Sequence, residues 1–116
     1  MSESKPPLST EAHRALAVVV VHARFAEAAQ KVADAADADG FTDEELSSNA
    51  YDLGMSAGML LIHAIGDALR ILAPNAPEER IDEEAHGICD APPDRIRYVV
   101  RDVGLHLAEA FSSPNA

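Results

Sequence analysis

Tryptophan is absent from the 116 residues, and only two tyrosines and three phenylalanines occur. Strands draw on β-branched and aromatic runs, and the only such run, Val18 to Val21, sits in an alanine-rich helical context. The expected class is therefore all-α. A single cysteine, Cys89, excludes an internal disulfide and fits a reducing compartment. Basic residues are scarce: nine Lys and Arg stand against twenty Asp and Glu, for a net charge of −11. Such a field argues against broad affinity for nucleic acid or anionic membrane. Residues 1–8, MSESKPPL, lack the apolar core of a signal peptide, and no run is read as reaching the ~20 apolar residues of a membrane span. A cytoplasmic protein without membrane contact is expected. The chain also has no glycine-rich phosphate loop, nucleophile elbow or paired CxxC.

What is present is helix. Asn49 to Ala73, NAYDLGMSAGMLLIHAIGDALRILA, contains no proline and is apolar around most of its circumference. One face carries Leu46, Ala50, Leu53, Ala57, Leu60, Ala64, Ala68 and Leu72; a second carries Tyr51, Met55, Ile62, Ile65 and Leu69. Both follow the spacing of a 3.6-residue period. The remainder is a narrow line, Asp52, Ser56, Met59, His63, Asp67 and Arg70. A helix of this kind must be covered on most sides, so it is the expected centre of a bundle.

Around it, residues 1–8 read as a disordered polar arm and residues 9–112 as one helical domain. Ser9 or Thr10 can cap a first helix running to about Ala38, with Val18, Val21, Phe25, Ala28, Ala29, Val32 and Ala36 as its expected buried face. Gly40 suits a helix end, Thr42 and Glu45 form a capping box, and Phe41 and Leu46 form a hydrophobic staple. The two long helices therefore make an antiparallel hairpin, with Gly54 and Gly58 marking a close approach. Asn75 and Glu78 can cap a short helix over 76–88, and a last helix follows Pro92 and Pro93, to about Phe111. Leu53, Leu60, Ile65, Leu69, Val99 and Val103 are the expected core.

Two acidic segments stand out. Asp34 to Asp52 holds seven carboxylates and no base, and Glu78 to Asp90 holds six against Arg80. They read as solvated surface or as contacts for a basic partner protein. Glu83 and His86 form one ExxH, but no second copy and no mid-helix glutamate accompany it. His86 and Cys89 lack two further zinc ligands. No metal and no cofactor is expected.

Arg95, Arg97 and Arg101 fall within seven positions and are followed by His106. The string RDVGLH, residues 101–106, resembles the Rx4–6H motif of the HEPN family (higher eukaryotes and prokaryotes nucleotide-binding), a small bundle of mostly long helices. AGMLLIHAIGDAL, residues 57–69, is similar to that family's AYYAMFHAARALL type of helix, with His63 and Ala64 in register; Gly58 and Met59 stand where tyrosines are usual. The resemblance implies a homodimer, RNA or nucleotide binding, and metal-independent RNA cleavage in a toxin–antitoxin type of system. It implies His106 as general acid/base, Arg101 as stabiliser of phosphorane charge and Asp102 as the group fixing the histidine tautomer. Arg97 and Arg95 would hold the substrate, and His63 with Asp67 would lie behind the site, although an interior His63 bonded to Asp67 is the plainer expectation. Five residues subtend about 140°, so Arg101 and His106 meet only if Gly104 permits distortion or a second subunit completes the site. The alternative reading is a non-catalytic acidic interaction module, antitoxin-like or adaptor, engaging a basic partner. A third class, a secreted helical hairpin, is suggested by Tyr98 and Asp102 in a YxxxD pattern.

Overall fold

The computed structural model describes residues 8–38 and 44–112, with side chains described for 8–35 and 48–112. Four helices follow in order: α1 (Thr10–Ala38), α2 (Glu44–Leu72), α3 (Glu78–Ile88) and α4 (Pro93–Ala110). No strand occurs among the described residues. The all-α bundle expected from composition is what the chain forms. The capping box Thr42/Glu45, the Phe41/Leu46 staple, Gly40 and most of the N-terminal arm lie outside the residues or side chains described.

Local chemistry sets several boundaries. Ser9 Oγ accepts the Ala12 N–H at 3.0 Å and satisfies one of the first-turn donors of α1. At α3 the cap is Pro77, in extended conformation with no side-chain bond, rather than Asn75. Glu78 begins that helix, and its carboxylate turns instead to Arg70. Pro93 occupies the first turn of α4, where its missing N–H costs nothing.

α1 and α2 form the long antiparallel hairpin, and α3 and α4 lie against one side of it. The core gathers Leu16, Val19 and Ala23 of α1, Leu61 to Ala73 of α2, Ile81, Ala85 and Ile88 of α3, and Ile96, Val100 and Leu107 of α4. Among the described side chains it takes nothing from α1 beyond Ala26 and nothing from α2 before Leu61. Past those points Ala29 and Ala57 are the only described side chains that are buried, in the seam between the two long helices.

The expected buried face of α1 is corrected here. Val18, Val21, Phe25, Ala28 and Val32 are exposed, with Val21 at 65 %. The buried residues of α1 are Ala12, Leu16, Val19, Ala23 and, as expected, Ala29, while the Ala36 side chain lies outside those described. The two stripes lie nearly opposite each other on the helix, and both satisfy helical spacing, so periodicity alone could not rank them. Leu53 and Leu60 are likewise exposed, because they lie on a side of α2 turned away from the core, although Leu61 next to Leu60 is buried; Tyr51 and Met55 are exposed as well. Val99 and Val103 are half-buried, while Ile65 and Leu69 are fully enclosed. The polar line of α2, from Asp52 to Arg70, faces solvent throughout.

Glycine placement also differs from expectation. A Cβ at Gly58 would meet nothing within 4 Å, and one at Gly54 would make ordinary contacts from 3.6 Å. The close approach is at Gly104, where a Cβ would fall 2.5 Å from Leu72 Cδ1 and 2.8 Å from Leu72 Cβ. Gly104 thus lets α4 sit directly on α2.

Finally, Ser48–Leu72 is long and apolar enough by composition to cross a bilayer, contrary to the sequence reading that no run qualifies. The C-terminal half of that segment is the core strip of the bundle.

Candidate functional site

α4 carries the arginines and histidine singled out by the sequence. Its buried stripe is Ile96, Val100, Gly104 and Leu107. At 3.6 residues per turn, Arg101 lies roughly 110° to one side of that stripe and His106 roughly 110° to the other. The helix is continuous from Pro93 to Ala110, so Gly104 introduces no distortion that would bring them together. Arg97 falls on the Arg101 flank; Arg95, Asp102 and His106 fall on the opposite one. The three arginines therefore do not form one patch.

Arg101 is engaged locally. Its Nε and Nη2 donate to Asp102 Oδ1 at 3.2 and 3.1 Å, and its guanidinium carbon lies 5.2 Å from the centre of the Tyr98 ring. Asp102 is thereby held by its neighbour and makes no hydrogen bond to His106 among those described. His106 is exposed. Within one chain, His106 and Arg101 are separated by the body of the helix.

His63 is not interior. It is exposed on α2, and Asp67 bonds to Arg70 rather than to it. Arg70 is the ionic hub of the molecule, and the sequence reading missed it. Its Nε donates to both Glu78 oxygens at 3.0 and 2.9 Å, and Nη1 donates to Asp67 at 2.9 Å. Asp82 lies 4.0 Å from Nη2. The hydrogen bond from Arg70 holds the Glu78 carboxyl below its ordinary range, and the same bond raises the Arg70 pKa further. The signal that could have found this pair is weak, because eight residues across Pro74 and Pro77 is no helical spacing. This hub clamps α3 onto α2 and shows no geometry for catalysis.

His86 and Cys89 point to backbone, not to each other: Nδ1 donates to the Asp82 carbonyl at 2.8 Å and Sγ donates to the His86 carbonyl at 3.1 Å. Burial pushes the Cys89 thiol pKa up, and nearby Asp90 adds to the shift. Such a thiol is a poor nucleophile at neutral pH. Among the described residues no three His, Cys, Asp or Glu side chains gather as metal ligands.

Among the described residues a groove of about 230 Å³ lies between α2 and α3, where Met59, Ile62, His63, Gly66 and Arg70 meet Asp82 and His86, and two further grooves border α1. One of about 590 Å³ lies between α1 and the α3–α4 turn, bounded by Glu27, Gln30, Lys31 and Asp34 against Cys89 to Pro93. The other, about 280 Å³, lies on the opposite face of the hairpin, where Arg14, Ala15 and Val18 meet Ala64, Asp67 and Ile71. Its apolar floor continues along the stripe of exposed side chains described above.

No family model matches the chain, and no curated protein or solved structure is detectably similar to it.

Proposed function

We propose that this protein is a non-catalytic helical interaction module of the cytoplasm, which engages partners through the uncovered part of its α1–α2 hairpin. One observation carries the reading. Of the ten large apolar side chains left two-fifths or more exposed among the described residues, nine belong to the hairpin and only Tyr98 lies elsewhere. Scattered single apolar residues on a surface need no explanation, whereas Val18, Val21, Phe25 and Val32 of α1 share one face with Leu53 and Leu60 of α2, and a set gathered on one face marks an interaction site. The acidic run of the sequence from Asp34 to Asp52 suits a basic partner protein, by steering and by excluding acidic competitors.

The alternative is a HEPN-like RNase or nucleotide-binding protein of a toxin–antitoxin type. It is favoured by the exposure of His106 and by the partial exposure of Arg101 beside Tyr98. It requires a second chain to supply whichever of Arg101 and His106 the first cannot present.

An RNA-cleavage assay on the wild-type chain, His106→Ala and Arg101→Lys, with and without chelator, decides between them. The module reading expects no cleavage by any of the three. Cleavage that persists in chelator and disappears in His106→Ala would overturn it. Arg101→Lys would then lose two to three orders of magnitude, about 3–4 kcal/mol of barrier, since an ammonium cannot replace a planar fork on phosphate. A basic partner, in turn, should be released as salt shortens the Debye length to ~3 Å near 1 M.

A further inference from the structure

The groove of about 230 Å³ between α2 and α3 stands apart from the two that border α1. On α2, Met59, His63, Gly66 and Arg70 fall within about 60° of one another; on α3, Glu78, Asp82 and His86 fall within about 80°. An observed contact sets the register of the two helices, Arg70 Nε to the Glu78 carboxylate at 2.9–3.0 Å. From there α3 runs back along α2, since His86 shares the groove with both Met59 and His63. His63 lies seven residues before Arg70 and His86 eight after Glu78, about 10.5 and 12 Å along their helices. The two imidazoles therefore stand at one level, one on each wall, with Met59 a further turn along α2. Gly66 keeps the space between His63 and Arg70 clear, and a Cβ there would come within 3.4 Å of Arg70 Nη1.

From this we infer that the groove binds a single copper(I) ion, held by Met59 and His63 of α2 and by His86 of α3. The inference goes beyond the interaction-module reading and does not depend on it, since Met59 turns about 100° from Leu60 and lies off the open stripe. Two imidazoles and a thioether are neutral, soft donors, and the thioether selects copper(I) among the ions that imidazole suits. His86 is already set as a ligand. Its Nδ1 lies 2.8 Å from the Asp82 carbonyl, which only accepts, so Nδ1 carries the proton and Nε2 of the neutral ring holds the lone pair. A bond from the far ring nitrogen to a backbone carbonyl is the support that metal-ligating histidines ordinarily have.

Charge and donor type narrow the choice of ion. Asp82 is the carboxylate that lines the groove, and it is turned to Arg70, 4.0 Å from Nη2. The groove thus lacks the oxygen ligands that Mg²⁺ and Ca²⁺ require. Among the described residues no three His, Cys, Asp or Glu side chains gather, which leaves zinc without its usual donors. Met59 supplies the third ligand from outside that set. The Arg70 guanidinium borders the site and opposes any cation. Asp67 and Glu78, each at 2.9 Å, and Asp82 surround it, and a monovalent ion meets half the repulsion that a divalent one would. Met59 is 56 % exposed, and His63 and His86 are exposed as well, so an entry path is open. A bound ion would link α2 to α3 a second time, two turns from the Arg70 hub.

The test is titration of the full chain with copper(I) under reducing conditions, in competition with bicinchoninate and read by the absorbance of the chelator complex. One equivalent per chain is expected, in the wild type and equally in Cys89→Ser, which removes the single thiol. His63→Ala and His86→Ala should each raise the dissociation constant by about 100-fold, and Met59→Leu by about 10-fold. Met59→Leu should also remove sulfur scattering from the X-ray absorption spectrum of the copper(I) complex in the Cys89→Ser background. All three side chains are exposed, so circular dichroism should show unchanged helicity; His13→Ala on α1 should bind as the wild type does. Saturating copper(I) should raise the thermal midpoint of the wild type and not that of His86→Ala. Failure to take up one equivalent overturns the inference, as does binding that is lost in Cys89→Ser or survives both histidine substitutions. Unchanged affinity and sulfur scattering in Met59→Leu, or tighter binding of zinc than of copper(I), overturns the assignment to copper(I).

Discussion

Two faces of one hairpin are built from the same kinds of residue and meet opposite fates. On the covered face, Leu16 and Val19 of α1 and Ile65 and Leu69 of α2 are sealed beneath α3 and α4. On the open face, Val18, Phe25 and Leu60 repeat the same chemistry and remain in water. Neither side-chain volume nor spacing separates them. What separates them is the side on which α3 and α4 pack: Val19 and Leu61 are buried beside exposed Val18 and Leu60, at the same level of the hairpin. Reach adds to this, since at 1.5 Å per residue α4 spans about 27 Å of a hairpin of roughly 43 Å. Burial on the hairpin is thus decided by where other helices lie, and the surplus apolar surface is what a partner can use.

Truncation breaks the comparison most sharply. Ile65→Ala and Leu69→Ala remove side chains with 0 % exposure and should each cost about 2–5 kcal/mol, the transfer term plus an unfilled cavity. Leu60→Ala, at 48 % exposure, should leave the chain's own unfolding free energy nearly unchanged. Urea unfolding measured at concentrations where the chain is monomeric makes the contrast direct. Equal losses at positions 60 and 65 would mean that the open face is covered from within the chain.

That contrast also marks how far the sequence could be read. The four helices, their boundaries to within a residue or two at most ends, the Ser9 cap and the exposed polar line of α2 all follow from local signals: proline position, capping residues, period. On α4 the expected core residues Val99 and Val103 fall only half-buried, at the edge of the stripe formed by Ile96, Val100, Gly104 and Leu107. α1 was less legible still. Its four consecutive valines, 18–21, place an apolar residue on every side of the helix, and only the tertiary partner selects Val19 over Val18 and Val21. At the candidate site the motif string links Arg101, Asp102 and His106, and the separation of Arg101 from His106 was legible because five residues subtend about 140° on a straight helix. The continuous helix puts Arg101 and His106 on different flanks, and Arg101 takes Asp102 for itself. Arg70, the best-connected charge in the molecule, had no local spacing to reveal its partner Glu78.

Glycine sharpens the comparison at smaller cost. Gly104→Ala forces a methyl against Leu72, and the 2.8 Å approach to Leu72 Cβ cannot be relieved by a rotamer change alone. α4 must lift from α2, at about 1–3 kcal/mol. Gly58→Ala, where a methyl meets open space, should instead stabilise the helix by up to about 1 kcal/mol. The two substitutions are chemically identical and should move the thermal midpoint in opposite directions. Two shifts of the same sign would show that helix propensity or packing alone governs both.

The smallest effect expected is ionic and tests what holds α3 to the covered face. Arg70 binds the Glu78 carboxylate through two hydrogen bonds from Nε, and that contact lowers the Glu78 pKa. A carboxyl with a lower pKa folded than unfolded adds stability that is complete above its unfolded pKa and lost as pH falls through its folded one. Arg70 shifts the other way, upward from an already high value, so it remains cationic throughout and sets no acid limit. Glu78→Gln should therefore lower the thermal midpoint slightly at neutral pH, and not at all once the pH has fallen through the lowered folded-state pKa of the wild-type carboxyl. Because the pair is solvent-exposed, salt should close the same gap at neutral pH. Asp67 and Asp82 still face Arg70 in the variant, which keeps the guanidinium paired and the loss small. Melting curves of both proteins from pH 3 to 8, at low and high salt, measure it. A gap that stays constant with pH would assign the effect to helix propensity at the first turn of α3, and the ionic clamp would have no part in holding that helix down.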